Sequence, residues 1–251
     1  MLAVEELSKS FGGVAAIRDV TLQFAPGSLT AIIGPNGAGK TTFFNLISGA
    51  IRPDKGRVTL SGEDIVGLPP SQIVRRGIAR SFQIASIFPS LTVEAVLTAT
   101  VQAHMGQSER IMRRFPLPEC RERAFAAMDM LGLADKAAVL SANLSHGDQK
   151  LLDIGLALVL EPRVLLLDEP TAGMGPEERW QMIEKVRELW KRQGITLVFI
   201  EHDMDIVFKI AESICVLCYG RVLAIGSPDT IRGNPEVIAA YLGTSEETDE
   251  P

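Results

Sequence analysis

The chain has 251 residues, 46% of them hydrophobic, enough for a full α/β core with room for a smaller lobe. Its net charge of −6 argues against a nucleic-acid binder that relies on a broad basic surface. Three cysteines, Cys120, Cys215 and Cys218, are too few for a disulfide framework.

The N-terminus lacks the charged and apolar regions of a signal peptide, and no uninterrupted apolar run reaches the ~18 residues of a membrane span. The expectation is a soluble chain that reaches a membrane only through partners. Leu2 to Leu7 and Val20 to Phe24 read as strands around the Gly12-Gly13 turn. On pattern alone Phe11, beside that turn, is an ordinary core aromatic; the sharper assignment is a platform for an adenine ring.

After the Pro26-Gly27 turn, Leu29 to Ile33 is an apolar, β-branched run suited to a buried strand. Gly34-Pro35-Asn36-Gly37-Ala38-Gly39-Lys40-Thr41-Thr42 follows, and then Phe43, Phe44, Leu46 and Ile47 at helical spacing. Strand, glycine-rich turn and helix are the context that a P-loop requires. Residues without a Cβ let consecutive N–H groups close on a polyphosphate, and the helix N-terminus adds its positive dipole end. Lys40 supplies a charge for the β- and γ-phosphates, and the Thr41 hydroxyl suits Mg²⁺. This segment is a nucleotide site.

Arg57 to Leu60 and Ile78 to Gln83 read as short strands. Beyond them the texture changes: Glu94 to His104 and Glu119 to Leu131 look helical, with no strand between, so about 84–150 reads as a helical lobe inserted into the core. Gln107 to Pro118 reads as a loop, and Arg110, Arg113, Arg114, Arg121 and Arg123 as a solvated basic face. Ser145 opens a largely buried helix. Val164 to Leu167 then has the texture of a central parallel strand ending in Asp168-Glu169.

Trp180 to Trp190 is an amphipathic helix closed by Gly194. Thr196 to Ile200 is another buried strand, followed at once by Glu201-His202-Asp203. Cys215 to Ile225 reads as a hairpin about Tyr219-Gly220, which makes Cys215 and Cys218 structural rather than a redox pair. Pro235 to Leu242 is a last helix, and 245–251 an acidic tail expected to be disordered.

Asp168, at the end of an apolar strand, stands where a second Mg²⁺-side ligand is needed, because strand C-termini converge on the P-loop crevice. Glu169, one residue on, can hold a water in line with the γ-phosphorus. Leu144-Ser145-His146-Gly147-Asp148-Gln149, some twenty residues earlier, resembles the signature sequence of ABC transporter ATPases. The order Phe11, P-loop, Gln83, signature, carboxylates, His202 follows that family over nearly the whole chain. Phe88 to Val93, Asp168 to Met174 and Ile200 to Met204 look most like the ATPases of branched-chain amino acid importers. Urea and short-amide importers are close rivals; an exporter of lipid or lipopolysaccharide and a soluble non-transport ABC protein are the alternatives.

The resemblance implies an α/β P-loop NTPase core with an antiparallel β subdomain and the helical lobe, all within one ATPase domain over 1–251. It implies that a second ATPase subunit pairs head to tail around ATP and Mg²⁺. Phe11 would stack adenine. Gly34, Pro35, Asn36, Gly37, Ala38, Gly39, Lys40, Thr41 and Thr42 would cradle the phosphates. Thr41, Gln83 and Asp168 would serve the metal. Ser145 and Gly147 would grip the γ-phosphate of the opposite subunit, with Glu169 as general base and His202 on the γ-phosphate. Transmembrane permease subunits would dock near Ile84 to Val93, a substrate-binding protein would act indirectly, and the chain would lie on the cytoplasmic face of the plasma membrane.

Three positions depart from the family. His146 stands where Gly is usual, and Asp148 where Gln is usual. Ser145 and Asp148 have the spacing of a capping box, which would fold the carboxylate back on the helix N-terminus, close to where the opposite γ-phosphate docks. Gly175 also replaces a frequent Asp.

Overall fold

The computed structural model describes residues 1–81, 88–106 and 117–242. Strands β1 (Leu2–Phe11) and β2 (Val14–Phe24) form a hairpin through Gly12 and Gly13, whose φ values of 53° and 87° make the tight two-residue turn only glycines enter freely. There follow β3 (Leu29–Ile33), α1 (Lys40–Ile47), β4 (Lys55–Leu60), β5 (Glu63–Asp64), α2 (Pro70–Arg76) and β6 (Ile78–Arg80). Helices α3 (Val93–His104), α4 (Pro118–Leu131) and α5 (His146–Leu158) come next. The chain then runs through β7 (Val164–Asp168), α6 (Pro176–Gln193), β8 (Thr196–Ile200), α7 (Met204–Ile210), β9 (Ser213–Cys218), β10 (Arg221–Gly226), α8 (Pro228–Arg232) and α9 (Pro235–Leu242).

The strands make two sheets. One is antiparallel, in the order β2-β1-β4-β5; the other runs β10-β9-β3-β8-β7-β6 and is parallel except for the β9–β10 hairpin. Side chains of the second sheet alternate between two cores, as the period of a strand requires. Ala31, Leu165, Leu167, Leu197 and Phe199 pack with α3 to α7 on one face. Ile32, Leu166, Val198 and Ile200 pack on the other against Phe43, Phe44 and the antiparallel sheet. Both faces are covered, so the strand sequences are nearly unbroken apolar runs.

Between β6 and β7 the described residues hold helices, two 3₁₀ turns at Ala134–Lys136 and Ser141–Asn143, and one isolated bridge between Thr92 and Leu140. Glycines at positive φ end α2, α4 and α6, and Thr92, Ser145 and Asp203 cap α3, α5 and α7. Of the expected basic face, Arg121 pairs with Glu94 and Arg123 with Glu161. Arg110, Arg113 and Arg114, and the acidic tail, lie outside the described residues.

The first two strands are longer than the sequence suggests, because bulged pairing carries polar stretches such as Ser8 to Ser10 into the ladder. The strand from Ile78 ends at Arg80. Helices α2, α7 and α8 span five to seven residues each, too short to show a period. Cys215 is buried in β9, which pushes its thiol up to about 12, in keeping with a structural role. Phe11 is 50% exposed, so the core assignment for it fails.

These placements separate two phenylalanines. Phe43→Ala, fully buried, should lower unfolding stability in urea by about 3–5 kcal/mol. Phe11→Ala should stay within about 0.5 kcal/mol of the parent.

Candidate functional site: a phosphate cradle at the strand ends

The loop from Gly34 to Gly39 turns back tightly because neighbouring backbone leaves no room for side chains. A Cβ on Gly34 would lie 2.1 Å from the Leu217 carbonyl oxygen, and one on Gly39, at φ 100°, 2.5 Å from that of Ala16. Helix α1 starts with no side-chain cap and no acidic residue in its first turn, so its N-terminal N–H groups face outward unneutralised. Tyr241 of α9 hydrogen-bonds the Gly34 backbone; burial pushes its phenol up to about 12, with this bond pulling the other way.

Lys40 is folded onto the loop itself, donating to the carbonyls of Gly34 at 2.6 Å and Pro35 at 3.0 Å. Burial lowers its pKa, while the charges of Glu169 and Asp168 raise it in part. One cavity of about 240 Å³ is lined by Asn36 through Thr42 together with Ala16, Glu169 and His202. Residues more than a hundred positions apart thus meet around a single space.

Glu169 and His202 touch directly, with His202 Nε2 2.9 Å from Glu169 Oε1. Glu169 sits at φ 49°, a left-handed conformation uncommon for a residue with a side chain. Buried Glu201 fixes the turn that follows. Its Oε1 accepts from the Thr171 hydroxyl at 2.6 Å and the Thr171 N–H at 3.0 Å, and its Oε2 accepts from the His202 N–H at 3.1 Å. Asp168 lies beneath, almost wholly buried. Its Oδ2 accepts from Arg80 Nη2 at 2.6 Å, and its Oδ1 has no partner among the described residues.

Ser145 and Gly147 are not in this cavity; they lie at the start of α5. Ser145 caps that helix, accepting from the Asp148 N–H at 3.2 Å. The Asp148 carboxylate does not complete a capping box. It accepts from the Ser145 hydroxyl at 2.6 Å and pairs with Lys136 at 2.7 Å. Burial opposes its ionisation, but these bonds prevail and hold its pKa below the usual value. Phe11 also lies apart from the cavity lining, and Lys9 Nζ stands 5.6 Å from its ring centre. Gln83 lies outside the described residues.

Sequence reasoning missed Ala16, Arg80, Lys136 and the locking role of Glu201. Arg80 and Lys136 belong to no motif, and only the fold brings them to Asp168 and Asp148.

The family model for ABC transporters matches residues 17–172, and that for branched-chain amino acid ATP-binding cassette transporters matches residues 221–247. The high-affinity branched-chain amino acid transport ATP-binding protein LivG of Escherichia coli K12 is 39% identical over 97% of this chain and 98% of its own. Its counterpart BraF of Pseudomonas aeruginosa is 36% identical over 97% and 98%. An ATP-binding cassette of an ABC transporter solved in its ADP conformation superposes with a TM-score of 0.86 at 31% identity, covering 97% of this chain and 98% of that one. The same comparison with a nucleotide-free cassette gives 0.85 at 31%, over 96% and 98%. The chain belongs to the ABC transporter family and is one of its ATP-hydrolysing, ATP-binding cassettes.

Proposed function

We propose that this ATPase powers import of branched-chain amino acids, or of a closely related small polar solute, on the cytoplasmic face of the plasma membrane. The observation that carries the catalytic part is the single cavity in which the P-loop, Glu169 and His202 meet. The solute class is supported by the names of the relatives and by the second matched model. No helix of the described residues is long and apolar enough to cross a membrane, in keeping with force passed to permease subunits.

On ATP binding, the phosphates take the open N-terminus of α1 and the loop N–H groups from Asn36 to Thr42. Lys40 leaves the carbonyls of Gly34 and Pro35 for the phosphate oxygens, an exchange of neutral acceptors for charged ones. A cation accompanying the nucleotide would share its phosphate oxygens with groups of the chain. Asp168 Oδ1, buried and without a partner among the described residues, fits that need, with Thr41 and Gln83 as the other candidates. Mg²⁺ held there would neutralise phosphate charge. Glu169 takes the proton of the attacking water, and His202 holds that carboxylate in place while facing the γ-phosphate.

Phe11, exposed at the end of β1, stacks the adenine ring. Ser145 and Gly147 lie outside the cavity of their own chain because they serve the ATP of a second subunit paired head to tail. Gln83 serves the metal and the attacking water and senses the position of the helical lobe, the segment from Ile84 to Val93 meets the permease, and a substrate-binding protein delivers the solute from the far side.

Three outcomes follow. Glu169→Gln should retain ATP binding in a fluorescent-nucleotide titration while turnover drops by ~10²–10⁴-fold; turnover near that of the parent would falsify the general-base role. Lys40→Ala should instead weaken binding itself in the same titration. The third concerns the paired charge at the signature. Lys136→Ala leaves the Asp148 carboxylate uncompensated beside the opposite phosphate. It should weaken the ATP-bound dimer of the Glu169→Gln protein by roughly two- to fivefold at low salt and less at high salt. Analytical ultracentrifugation would read this, and the double variant Lys136→Ala, Asp148→Gln should recover most of the loss.

A further inference from the structure

Lys150, in the second turn of α5, is only 6% exposed and does not line the phosphate cavity. Its ammonium donates to the Glu169 carbonyl at 3.4 Å, its one hydrogen bond among the described residues. Asp153, three residues on and also buried, feels the Lys150 charge, but no hydrogen bond joins the two among the described residues. The ammonium is therefore not spent on an ion pair. Taking such a group out of water costs more than one long hydrogen bond returns, and an apolar side chain of the same length would fill the space without that cost. A lysine in this place points to a task that only a cationic donor performs.

Its acceptor is the backbone of the residue whose carboxylate lines the cavity. Glu169 stands at φ 49°, and three neighbours hold it there. Its N–H donates to the Ile200 carbonyl at 3.0 Å, and its carbonyl accepts from the Ala172 N–H at 3.2 Å as well as from Lys150. The carbonyl bond fixes the peptide plane on one side of Glu169 and the Ile200 bond the plane on the other. Together they set the direction in which the carboxylate leaves the backbone. Helix α5 touches the same loop a second time, where the His146 ring lies against Gly173: a Cβ there would come within 3.0 Å of its Cε1.

We propose that Lys150 is a positioning residue for hydrolysis, whose ammonium holds the Glu169 carbonyl and so aims the Glu169 carboxylate at the attacking water. The proposal rests on the reading of Glu169 as the general base. The long bond of the free protein tightens when ATP and water are in place, as catalytic hydrogen bonds commonly do.

The test is steady-state ATP hydrolysis by the purified full-length chain, with fluorescent-nucleotide titration and thermal melting on the same preparations. Lys150→Met keeps the length and apolar stem of the side chain and removes the donor. Its kcat should fall by about 10- to 100-fold, the scale set by a small misplacement of a reacting group, with KM and ATP affinity unchanged and melting no lower than the parent. Lys150→Arg, which restores a cationic donor, should recover most of the lost rate. Because Lys150 acts through Glu169, adding Lys150→Met to Glu169→Gln should lower the residual rate by less than about twofold further. A parent-level kcat in Lys150→Met would overturn the role. So would equal losses in the two backgrounds, a loss of rate that tracks a lower melting temperature or weaker ATP binding, or an Arg variant no better than the Met one. Glu169→Gln measured alongside separates the two readings. If it turns over near the parent rate, the general-base reading itself fails; if it is inactive while Lys150→Met is unimpaired, only the positioning role fails.

Discussion

The parallel, in-register pairing of β3, β8 and β7 sets everything else in place. Ile32 lies beside Ile200, and Ile200 beside Asp168, so the three strands end level with one another. The residues that follow them, the P-loop, Glu201-His202 and Glu169, have to emerge together at one edge of the sheet. A shift of one residue in either pairing would turn Asp168 to the opposite face and exchange the two cores. The apolar runs of these strands pin that register on both faces at once, as the division between Phe199 and Ile200 shows. Stability and chemistry therefore draw on the same contacts.

On that base the site keeps polar groups satisfied except where a ligand is due. Glu201 is buried yet bonded three times, and it ties the turn after Glu169 to the end of β8. Lys40 is parked on its own loop rather than left bare. Asp168 is half satisfied, with one oxygen on Arg80 and the other without a partner among the described residues. Local backbone strain collects here too, in Glu169 at φ 49°. A cradle built this way is organised before the nucleotide arrives, and little reorganisation remains to be done.

Much of this was legible in the sequence because motifs and periods are local. The P-loop, the paired carboxylates after an apolar strand, and His202 after another are each written in a few adjacent residues, and the fold class follows from the strands between helices. What stayed hidden is set by distance along the chain. Arg80 and Asp168 are 88 residues apart, and nothing in either neighbourhood names the other. Asp148 read alone is a capping carboxylate beside a phosphate site. Lys136, twelve residues earlier, turns it into a paired and largely neutralised group. The core assignment of Phe11 failed for another reason: a strand-end aromatic next to a turn looks the same in sequence whether its ring points in or out.

The C-terminal segment reaches back to the P-loop. The second matched family model begins at Arg221 and takes in β10, α8 and α9. Tyr241, near the end of α9, bonds the backbone of Gly34, the first residue of the P-loop. The same glycine is pressed against Leu217 of β9, where a single methyl group would collide with the backbone. Residues from β9 and α9 thus brace the P-loop from outside its own motif, and the second matched model takes in α9 but not β9.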